Sequence, residues 1–350
     1  MADTAPALEL GLDTFGDIAL GADGSPLPAA TVIREVLAEG QLADRLGLDF
    51  FGVGEHHRPD YAISAPDTVL AGLATTTSQI RLGTSVTVLS SDDPIRVFQR
   101  FSTVDALSHG RAEITVGRGS FIESFPLFGL SLDDYEVLFS EKLDLLARVL
   151  QERDVRWSGT VRPPVESGPV MPPTESGHLR TWVGVGGTPA SVVRAAQYGM
   201  PIVIAIIGGS SAQFVPLADL YRRACTELGH PGLPVGVHSP GHVAATDDAA
   251  VEEYLPHFLH QMRKIGRERG WAPMTEAAAR AQMSPSGAAY VGSPETVARK
   301  IVDTIRALGA SRFQLKYSNG RLPHDLRMES IRLFGEEVAP RVRDLLPAVD

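Results

Sequence analysis

Residues Phe50 to Pro59 read F-F-G-V-G-E-H-H-R-P, an apolar run that ends in a group of ionisable side chains. The apolar part is typical of a short buried strand, and the proline is typical of a strand end. Parallel α/β folds place their active sites at the carboxyl ends of such strands. We therefore predict a functional site here, with Glu55 and His56 as candidate catalytic residues for acid–base or hydrogen-bonding chemistry.

The same ionisable residues also fit a structural role, and the motif alone leaves both interpretations open. A histidine in a strand is commonly a hydrogen-bonded structural residue. A zinc site is disfavoured, because neighbouring residues on a strand point to opposite faces and His56 and His57 cannot both face one ion. The chain also lacks an H-E-x-x-H motif, so we predict no metal.

The composition is that of an ordinary globular protein, with 350 residues of which 43% are hydrophobic and 21% charged. Cys225 is the single cysteine, which excludes an intramolecular disulfide. A formal charge of −10 without a basic stripe argues against a nucleic-acid partner or an anionic membrane. Residues 1–10 lack the features of a signal peptide, and the longest apolar run, 201–207, is too short to cross a bilayer. We predict a cytoplasmic protein.

Strand-like and helix-like segments alternate along most of the chain. Short apolar or alternating segments predict strands, and apolar residues at helical spacing predict the helices between them. The predicted strands are 8–15, 50–53, 80–89, 111–117, 181–185, 202–207, 234–238 and 312–317. The predicted helices are 29–46, 64–78, 94–108, 131–150, 188–198, 211–228 and 294–308, with a closing helix after 320.

This alternation predicts a parallel sheet with right-handed crossovers. About eight strand–helix units favour a closed (β/α)8 TIM barrel, an α/β fold that residues 1–350 form as a single domain. Two insertions are expected, a proline-rich irregular one at about 156–180 and a helical one at about 248–290. A doubly wound open sheet is the alternative, but no G-x-G-x-x-G motif follows the first strand.

Residues Gly184 to Ser191 read G-V-G-G-T-P-A-S and predict a strand that ends in glycines before a helix begins. Gly186 and Gly187 allow backbone N–H groups to approach an anion closely. The helix amino terminus adds unsatisfied N–H donors and partial positive charge, and the hydroxyl groups of Thr188 and Ser191 can donate as well. We predict a phosphate site here, although a simple capped helix would also explain Thr188.

Two further segments are weaker candidates for the same ligand. Gly208 and Gly209, followed by two serines, repeat the pattern one strand–helix unit later. Arg118 lies between two glycines at another strand end, where it is either a phosphate ligand or an ion-paired structural residue. The chain has no Walker motif, so nucleotide hydrolysis has no support.

With these residues assembled, the chain resembles the bacterial luciferase-like flavin monooxygenase family from the first strand to about Val338. The motifs that carry the resemblance occur in the family's order. They are E-H-H at Glu55–His57, R-L-G-T-S-V-T-V-L-S-S-D-D-P-I-R at Arg81–Arg96, G-R-A-E-I-T-V-G-R-G-S-F-I-E-S-F-P-L-F-G at Gly110–Gly129, A-A-Q-Y-G-M-P at Ala195–Pro201 and G-S-P-E-T-V-A-R-K-I at Gly292–Ile301. Several ordered and separated motifs are more specific than any one of them.

The resemblance implies a (β/α)8 barrel that binds FMN over its strand ends, with the phosphate at a helix amino terminus. In the family, the segment matching Thr84–Thr87 runs along the flavin ring, often through a cis peptide that would here be Ser85–Val86. His56 matches the catalytic histidine. The expected cofactor-binding residues are Phe15, Ser85, Val86, Thr87, Arg118, Ser120, Phe121, Gly186, Gly187, Thr188, Ser191, Gly208 and Gly209.

The implied function is that of a two-component, FMN-dependent monooxygenase. It would oxidise a small organic substrate with O2 and with reduced FMN from a separate flavin reductase, and it would form a homodimer. His56 would act as a group that titrates near neutrality. The residues expected near the substrate are Phe15, Phe121, Phe125 and His242, and residues 156–180 are a candidate lid.

Three alternatives remain open on the sequence. The family also includes deazaflavin-dependent dehydrogenases, and nothing in the sequence excludes that activity. A non-catalytic flavin-binding protein is the second, which Glu55, His56 and Arg118 weakly disfavour. An unrelated barrel isomerase or hydrolase for a sugar phosphate is the third. The residues do not identify the substrate.

Overall fold

The computed structural model describes residues 7–21, 23–119, 121–151 and 154–346. Parallel strands alternate with helices throughout these residues. The strands are β1 (Glu9–Thr14), β2 (Phe50–Val53), β3 (Arg81–Thr84), β4 (Thr87–Val88), β5 (Glu113–Gly117), β6 (Arg180–Val185), β7 (Ile202–Ala205), β8 (Val235–Val243), β9 (Tyr290–Gly292) and β10 (Arg312–Lys316).

The helices follow the strands in the alternating order that the sequence predicts. They are α1 (Ala29–Arg45), α2 (Pro66–Ala74), α3 (Pro94–Leu107), α4 (Ser124–Leu127), α5 (Tyr135–Val149), α6 (Pro189–Gln197), α7 (Val215–Glu227), α8 (Asp247–Arg269), α9 (Glu276–Met283), α10 (Pro294–Leu308), α11 (His324–Leu333) and α12 (Ala339–Leu345). No helix among the described residues combines the length and apolar composition that a bilayer crossing requires.

The strands form a nearly closed parallel barrel in the order β3-β2-β1-β10-β8-β7-β6-β5-β4. β3 and β4 occupy one position, because two residues separate them and β4 pairs with β5. An isolated parallel bridge between Leu82 and Ala112 joins the two ends of this order. Counting β3 with β4, and setting aside β9, which pairs with the end of β8, leaves eight strand positions. The predicted (β/α)8 TIM barrel is confirmed.

Most predicted strands agree with the observed ones to within two residues at each end, and two differ more. The predicted strand 80–89 is divided into β3 and β4 at the Ser85–Val86 peptide, which is cis, as the family resemblance implied. The strand predicted over 234–238 continues to Val243, because its end pairs with β9. β9 and the short helix α4 have no counterpart in the sequence prediction.

Helix α10 has the bounds that its terminal residues predict. The hydroxyl of Ser293 accepts a hydrogen bond from the backbone N–H of Thr296, and Pro294 occupies the first turn. Gly309 follows the helix in the left-handed conformation, with φ of 55°, where a residue with a Cβ would be strained.

Both predicted insertions are present. Residues 156–180 contain an antiparallel bridge between Trp157 and Val165 and pack against α5, where Trp157 Nε1 donates to Asp144 Oδ2 at 2.8 Å. The helical insertion consists of α8 and α9, which enclose an apolar cluster that includes Tyr254 and Phe258.

A buried ion cluster fills the amino-terminal end of the barrel. Arg312, at the start of β10, is completely buried and donates to Glu9 Oε2 at 2.6 Å and to Glu113 Oε2 at 3.0 Å. Its guanidinium lies between two aromatic rings, 4.6 Å from the centroid of Phe50 and 4.4 Å from that of Trp182. Carboxylates and the faces of aromatic rings thus surround the buried charge of Arg312. A buried charge is stable in a protein interior only when it is paired in this way.

Glycines on neighbouring strands make room for Phe50 inside the barrel. A methyl group on Gly11 of β1 would lie 2.7 Å from the Phe50 side chain, and one on Gly83 of β3 would lie 2.8 Å from its ring. Small inward residues thus alternate with a large one, as is common inside small barrels.

We expect Arg312→Met to lower the free energy of unfolding by about 3 kcal/mol, because it removes the nearest cation from the buried carboxylate of Glu113. Chemical denaturation followed by circular dichroism measures the change. Arg299→Met is the matched control, since Arg299 pairs with Glu295 on an exposed helix face and should affect stability little. Equal losses in the two variants would contradict the importance of the buried cluster.

Candidate active site

A cavity of about 360 Å³ opens at the carboxyl ends of the barrel strands. All eight strand positions contribute to its lining, either from the strand end or from the residues that follow it. This is the end of a (β/α)8 barrel at which active sites form. The predicted site residues that line the cavity are Phe15, Glu55, His56, Ser85, Val86, Arg118, Gly186 and Ser191.

The other predicted site residues that the structure describes do not line the cavity themselves. Gly187 and Thr188 lie between cavity-lining neighbours in the chain, and Phe121 contacts the His56 ring at a centroid distance of 5.2 Å. Thr87 lies in a neighbouring pocket, and its hydroxyl donates to Thr84 Oγ1. Gly208 and Gly209 do not line the cavity, whereas Ile207 before them does. Ser120 lies outside the described residues.

Three segments expected around the substrate lie away from the cavity. Phe125 is completely buried and stacks on Tyr135 at a centroid distance of 5.7 Å. His242 is buried beside Tyr254 and hydrogen-bonds Glu253 Oε2 at 2.7 Å. Residues 156–180, predicted as a lid, pack on α3 and α5 and contribute no residue to the cavity lining.

His56 lies in a box of aromatic rings. Its ring centroid is 4.3 Å from that of Tyr61, with which it stacks, and 4.6 Å from that of Phe15, which it meets edge to face. Phe121 closes a third side. The three aromatic residues come from separate loops, after β1, β2 and β5, so the closed barrel brings them together.

This box determines the charge of His56. Burial lowers the pKa of His56 to about 3, because its effect exceeds the opposing effect of the Asp17 carboxylate, and the positive charges of Lys316 and Arg58 lower the pKa further. The imidazole is therefore neutral at neutral pH. The sequence prediction of a group that titrates near neutrality is wrong for this environment, because the ring is removed from water.

Glu55 is held by two hydrogen bonds. Its Oε1 lies 2.8 Å from His57 Nε2, and its Oε2 accepts the backbone N–H of Val88 at 2.8 Å. The second bond ties the end of β2 to β4, directly after the cis peptide. Glu55 therefore positions the Ser85–Val86 segment along one wall of the cavity.

The predicted phosphate site is formed at the amino terminus of α6. Thr188 precedes the helix, Pro189 begins it, and Gly187 has a φ of 120°, a conformation open to glycine. Arg118, from the end of β5, reaches this terminus and donates through Nη2 to Ser191 Oγ at 3.3 Å. Backbone donors, a hydroxyl and a guanidinium thus converge at one end of the cavity.

A second arginine lies beside Arg118. Arg194, one turn into α6, binds Glu136 Oε2 at 3.1 Å, and Arg118 binds the other oxygen of the same carboxylate. The Glu136 side chain is 62% exposed. Arg194 Nη1 is buried and has no hydrogen-bond partner in the described part of the chain. The two guanidiniums give this end of the cavity a positive potential.

The middle of the cavity is a narrow apolar space. Gly117 of β5 and Gly184 of β6 lie against Val86, and a methyl group on either glycine would come within 2.8 or 2.9 Å of the Val86 side chain. Val185, Val203 and other small apolar residues continue the lining. A flat ring system fits between such walls.

Among the cavity residues that the sequence did not predict, His238 and Lys316 each pair with a buried carboxylate. His238, on β8, hydrogen-bonds Asp13 Oδ2 through Nδ1 at 2.7 Å. Lys316, at the end of β10, binds Asp17 Oδ2 at 3.1 Å. Both are polar residues within fully buried strands, and on β10 polar residues recur at every second position (R-F-Q-L-K at 312–316). That two-residue repeat is the signal that could have identified Lys316.

The arrangement suits a planar cofactor that carries a phosphate. Arg118, Ser191 and the α6 amino terminus can hold the phosphate, the glycine-lined strip can hold a ring, and His56 lines the same cavity. Among the described residues, no group of three or more His, Cys, Asp or Glu side chains is arranged to hold a metal ion.

Comparison with known proteins agrees with this geometry. The family model for luciferase-like monooxygenases matches residues 14–312. Among curated relatives, 4-hydroxyprotoasukamycin monooxygenase of Streptomyces nodosus is 25% identical over 354 residues, with 95% of this chain and 94% of the relative covered.

Solved structures show the same fold. Monooxygenase RslO1 from Streptomyces bottropensis superimposes with a TM-score of 0.81 at 24% identity, covering 95% of this chain and 99% of that one. The oxygenating constituent of 3,6-diketocamphane monooxygenase from Pseudomonas putida, solved with FMN, has a TM-score of 0.73 at 19% identity, with 96% and 99% covered. A coenzyme F420-dependent tetrahydromethanopterin reductase from Methanopyrus kandleri has a TM-score of 0.72 at 17% identity, with 96% and 99% covered.

We expect the imidazole of His56 to remain neutral at about pH 5, where a solvated histidine is mostly protonated. Because the unfolded chain then binds a proton that the folded chain does not, stability falls as the pH drops from about 6.5. The His56→Gln variant lacks this loss, so the unaltered protein should weaken relative to it by about 1–2 kcal/mol at about pH 5. Urea unfolding at several pH values measures the difference, and parallel pH profiles would contradict a neutral His56.

Proposed function

The chain belongs to the luciferase-like monooxygenase family, and we propose that it is a two-component, FMN-dependent monooxygenase. It would oxidise a small organic substrate with O2 and with reduced FMN from a separate flavin reductase. A homodimeric state and a cytoplasmic location belong to the same proposal.

One observation carries the proposal. The anion-binding end of the cavity, where Arg118 meets Ser191 at 3.3 Å, and the imidazole of His56 belong to a single continuous space. A phosphate held at α6 would therefore leave the ring system of the same molecule in the glycine-lined strip, beside His56. A sugar phosphate or a free phosphate would occupy the anion-binding residues but would leave the glycine-lined strip without a ring system.

The residues present fit FMN. Arg194 Nη1 is buried without a partner in the described chain, as expected of a donor whose acceptor is a ligand. Thr115 Oγ1 and Gln314 Nε2 are likewise buried without partners, on strands that line or underlie the ring space. Thr115 also lines the cavity, so its hydroxyl can bond a polar atom of a flavin ring, whereas the walls at Val86 and Val203 suit the apolar face of the ring.

When bound in its reduced form, FMN supplies the electrons that activate O2. The residues of the chain have separate tasks around it. Arg118 and Ser191 bind the phosphate, and Glu55 positions the Ser85–Val86 segment along the ring. His56 stays neutral, so it can donate or accept one hydrogen bond at the reacting end without adding charge.

The helical insertion keeps water from this end of the cavity. Arg58, next in sequence to the histidines, donates to Glu268 Oε2 of α8 at 2.7 Å and lies 4.4 Å above the Phe121 ring. Gln261 of α8 donates to the hydroxyl of Tyr61 at 3.0 Å. The insertion thereby holds the aromatic box of His56 closed, which protects reactive species from hydrolysis.

A deazaflavin-dependent dehydrogenase is the second candidate, because the F420-dependent reductase shares the fold. The curated monooxygenase relative is 25% identical to this chain, against 17% for the F420-dependent reductase, and the higher identity favours the oxygenase. We expect FMN to bind saturably and coenzyme F420 not to bind. Fluorescence titration of the purified protein with the two cofactors separates the candidates, and tight F420 binding without FMN binding would replace the proposal.

We expect Arg118→Ala to weaken FMN binding about tenfold to a hundredfold, because a charge-assisted contact with the phosphate contributes about 1.5–3 kcal/mol. Riboflavin, which lacks the phosphate, should bind both proteins alike. Arg148→Ala, at an exposed position on α5, is the matched control. His56→Ala should keep FMN affinity but lose oxygen-dependent turnover. Equal loss of riboflavin binding in Arg118→Ala would show that Arg118 supports the fold instead of the phosphate.

A further inference from the structure

His238 is a second histidine of the cavity, and its position differs from that of His56. It lies on β8, in register with Ala205 of β7 and Gln314 of β10. Its ring stacks on Phe15 at a centroid distance of 6.0 Å and lines the cavity. The side chain therefore faces the interior of the barrel, at the level where a bound ligand would lie.

Asp13 fixes the orientation of the His238 ring. Asp13 is completely buried, and its Oδ2 lies 2.7 Å from His238 Nδ1. A carboxylate accepts hydrogen bonds, so Nδ1 carries the hydrogen, and Nε2 is left as the acceptor that is open to the cavity. This is the arrangement in which a carboxylate holds an imidazole ready to take up a proton and balances the charge that results.

The other ionisable residues at this end of the cavity are not arranged in the same way. The ring of His56 is surrounded by aromatic rings and makes no hydrogen bond to another described residue. Both carboxylate oxygens of Glu55 are already bonded, to Val88 and to His57. The ammonium group of Lys316 is bound by Asp17. His238 is therefore the group with a free acceptor nitrogen and a built-in counter-charge.

We infer that His238, oriented by Asp13, is the base of the site, and that the substrate is an apolar compound with a weakly acidic hydroxyl group, a phenol or an enol. The inference rests on the proposed function, since it names the substrate class of the same site. In this step the substrate O–H bond breaks, the proton goes to His238 Nε2, and the electron pair stays on the substrate oxygen. The ionised substrate is richer in electrons at the carbon that receives oxygen.

The cavity wall around His238 suits such a compound. Phe15 covers one face of the imidazole, and Ala205 and Ile207 of the β7 end add apolar surface. Lys316, one strand away on β10, brings a positive charge to the same space. An apolar ring or chain thus contacts carbon atoms, while its oxygen lies near His238 Nε2 and the ammonium group of Lys316, away from the phosphate end of the cavity.

The test follows the ionisation of 4-nitrophenol, whose phenolate absorbs at longer wavelength than its phenol. The probe is added to the full-length protein, with and without FMN, at a pH below the probe's own pKa. The unaltered protein should bind it mainly as the phenolate. His238→Gln should lower the ratio of bound phenolate to bound phenol about tenfold, and Asp13→Asn about threefold. His56→Gln, which alters the other cavity histidine, should leave the ratio unchanged.

Three results would overturn the inference: no saturable binding of the probe, an unchanged ratio in His238→Gln, or loss of the phenolate in His56→Gln instead. Nitrogen NMR of the unaltered protein adds a measurement that does not depend on whether the Asp13 variant folds. A neutral His238 ring protonated at Nδ1 supports the inference, and one protonated at Nε2 overturns it.

The same samples separate this inference from the proposed function. FMN binding is measured on each variant by fluorescence titration. If the protein ionises the probe through His238 but binds no FMN, the inference about His238 stands and the proposed cofactor is wrong. If the protein binds FMN but leaves the probe un-ionised, the proposed function stands and the inference about His238 is wrong.

Discussion

Arg312 carries a full positive charge into the amino-terminal end of the barrel, where Glu9 and Glu113 neutralise it and the rings of Phe50 and Trp182 cover it. Such a charge is tolerated only where every side is compensated. The cluster joins β1, β2, β5, β6 and β10 through side chains in addition to their backbone ladders. It closes one end of the barrel, so the inward residues further along the same strands can remain separated and form a cavity.

The two-residue repeat of the strands links this closed end to the site. On β10 the inward residues are Arg312, Gln314 and Lys316, which belong in turn to the ion cluster, the buried layer and the cavity wall. β1 and β8 follow the same repeat and deliver Asp13 and His238. A shift of one residue in register would turn all of these side chains outward. The register that holds the barrel closed therefore also assembles the cavity.

The sequence predicts the parts of the site that form continuous motifs at strand ends, such as Glu55–His57 and Gly186–Thr188. It does not identify Asp13, His238 and Lys316, because each is a single polar residue whose neighbours come from other strands and are set by barrel closure. Gly208 and Gly209 are the opposite case, because the sequence predicts them at the site and they do not line the cavity. A glycine pair does not reveal which way its loop turns. The fold itself is predictable, because eight repeats of strand and helix leave few other architectures.

The shared carboxylate of Glu136 has a consequence for how a phosphate would enter. Arg118 and Arg194 are held in place by this acid before any ligand arrives, so their side chains lose little freedom afterwards. An incoming phosphate would take the place of the Glu136 carboxylate beside the two arginines, and the Glu136 side chain, already largely in water, would move into solvent. Binding would then exchange one anion for another at Arg118 and Arg194, so the net charge around the two arginines would change little.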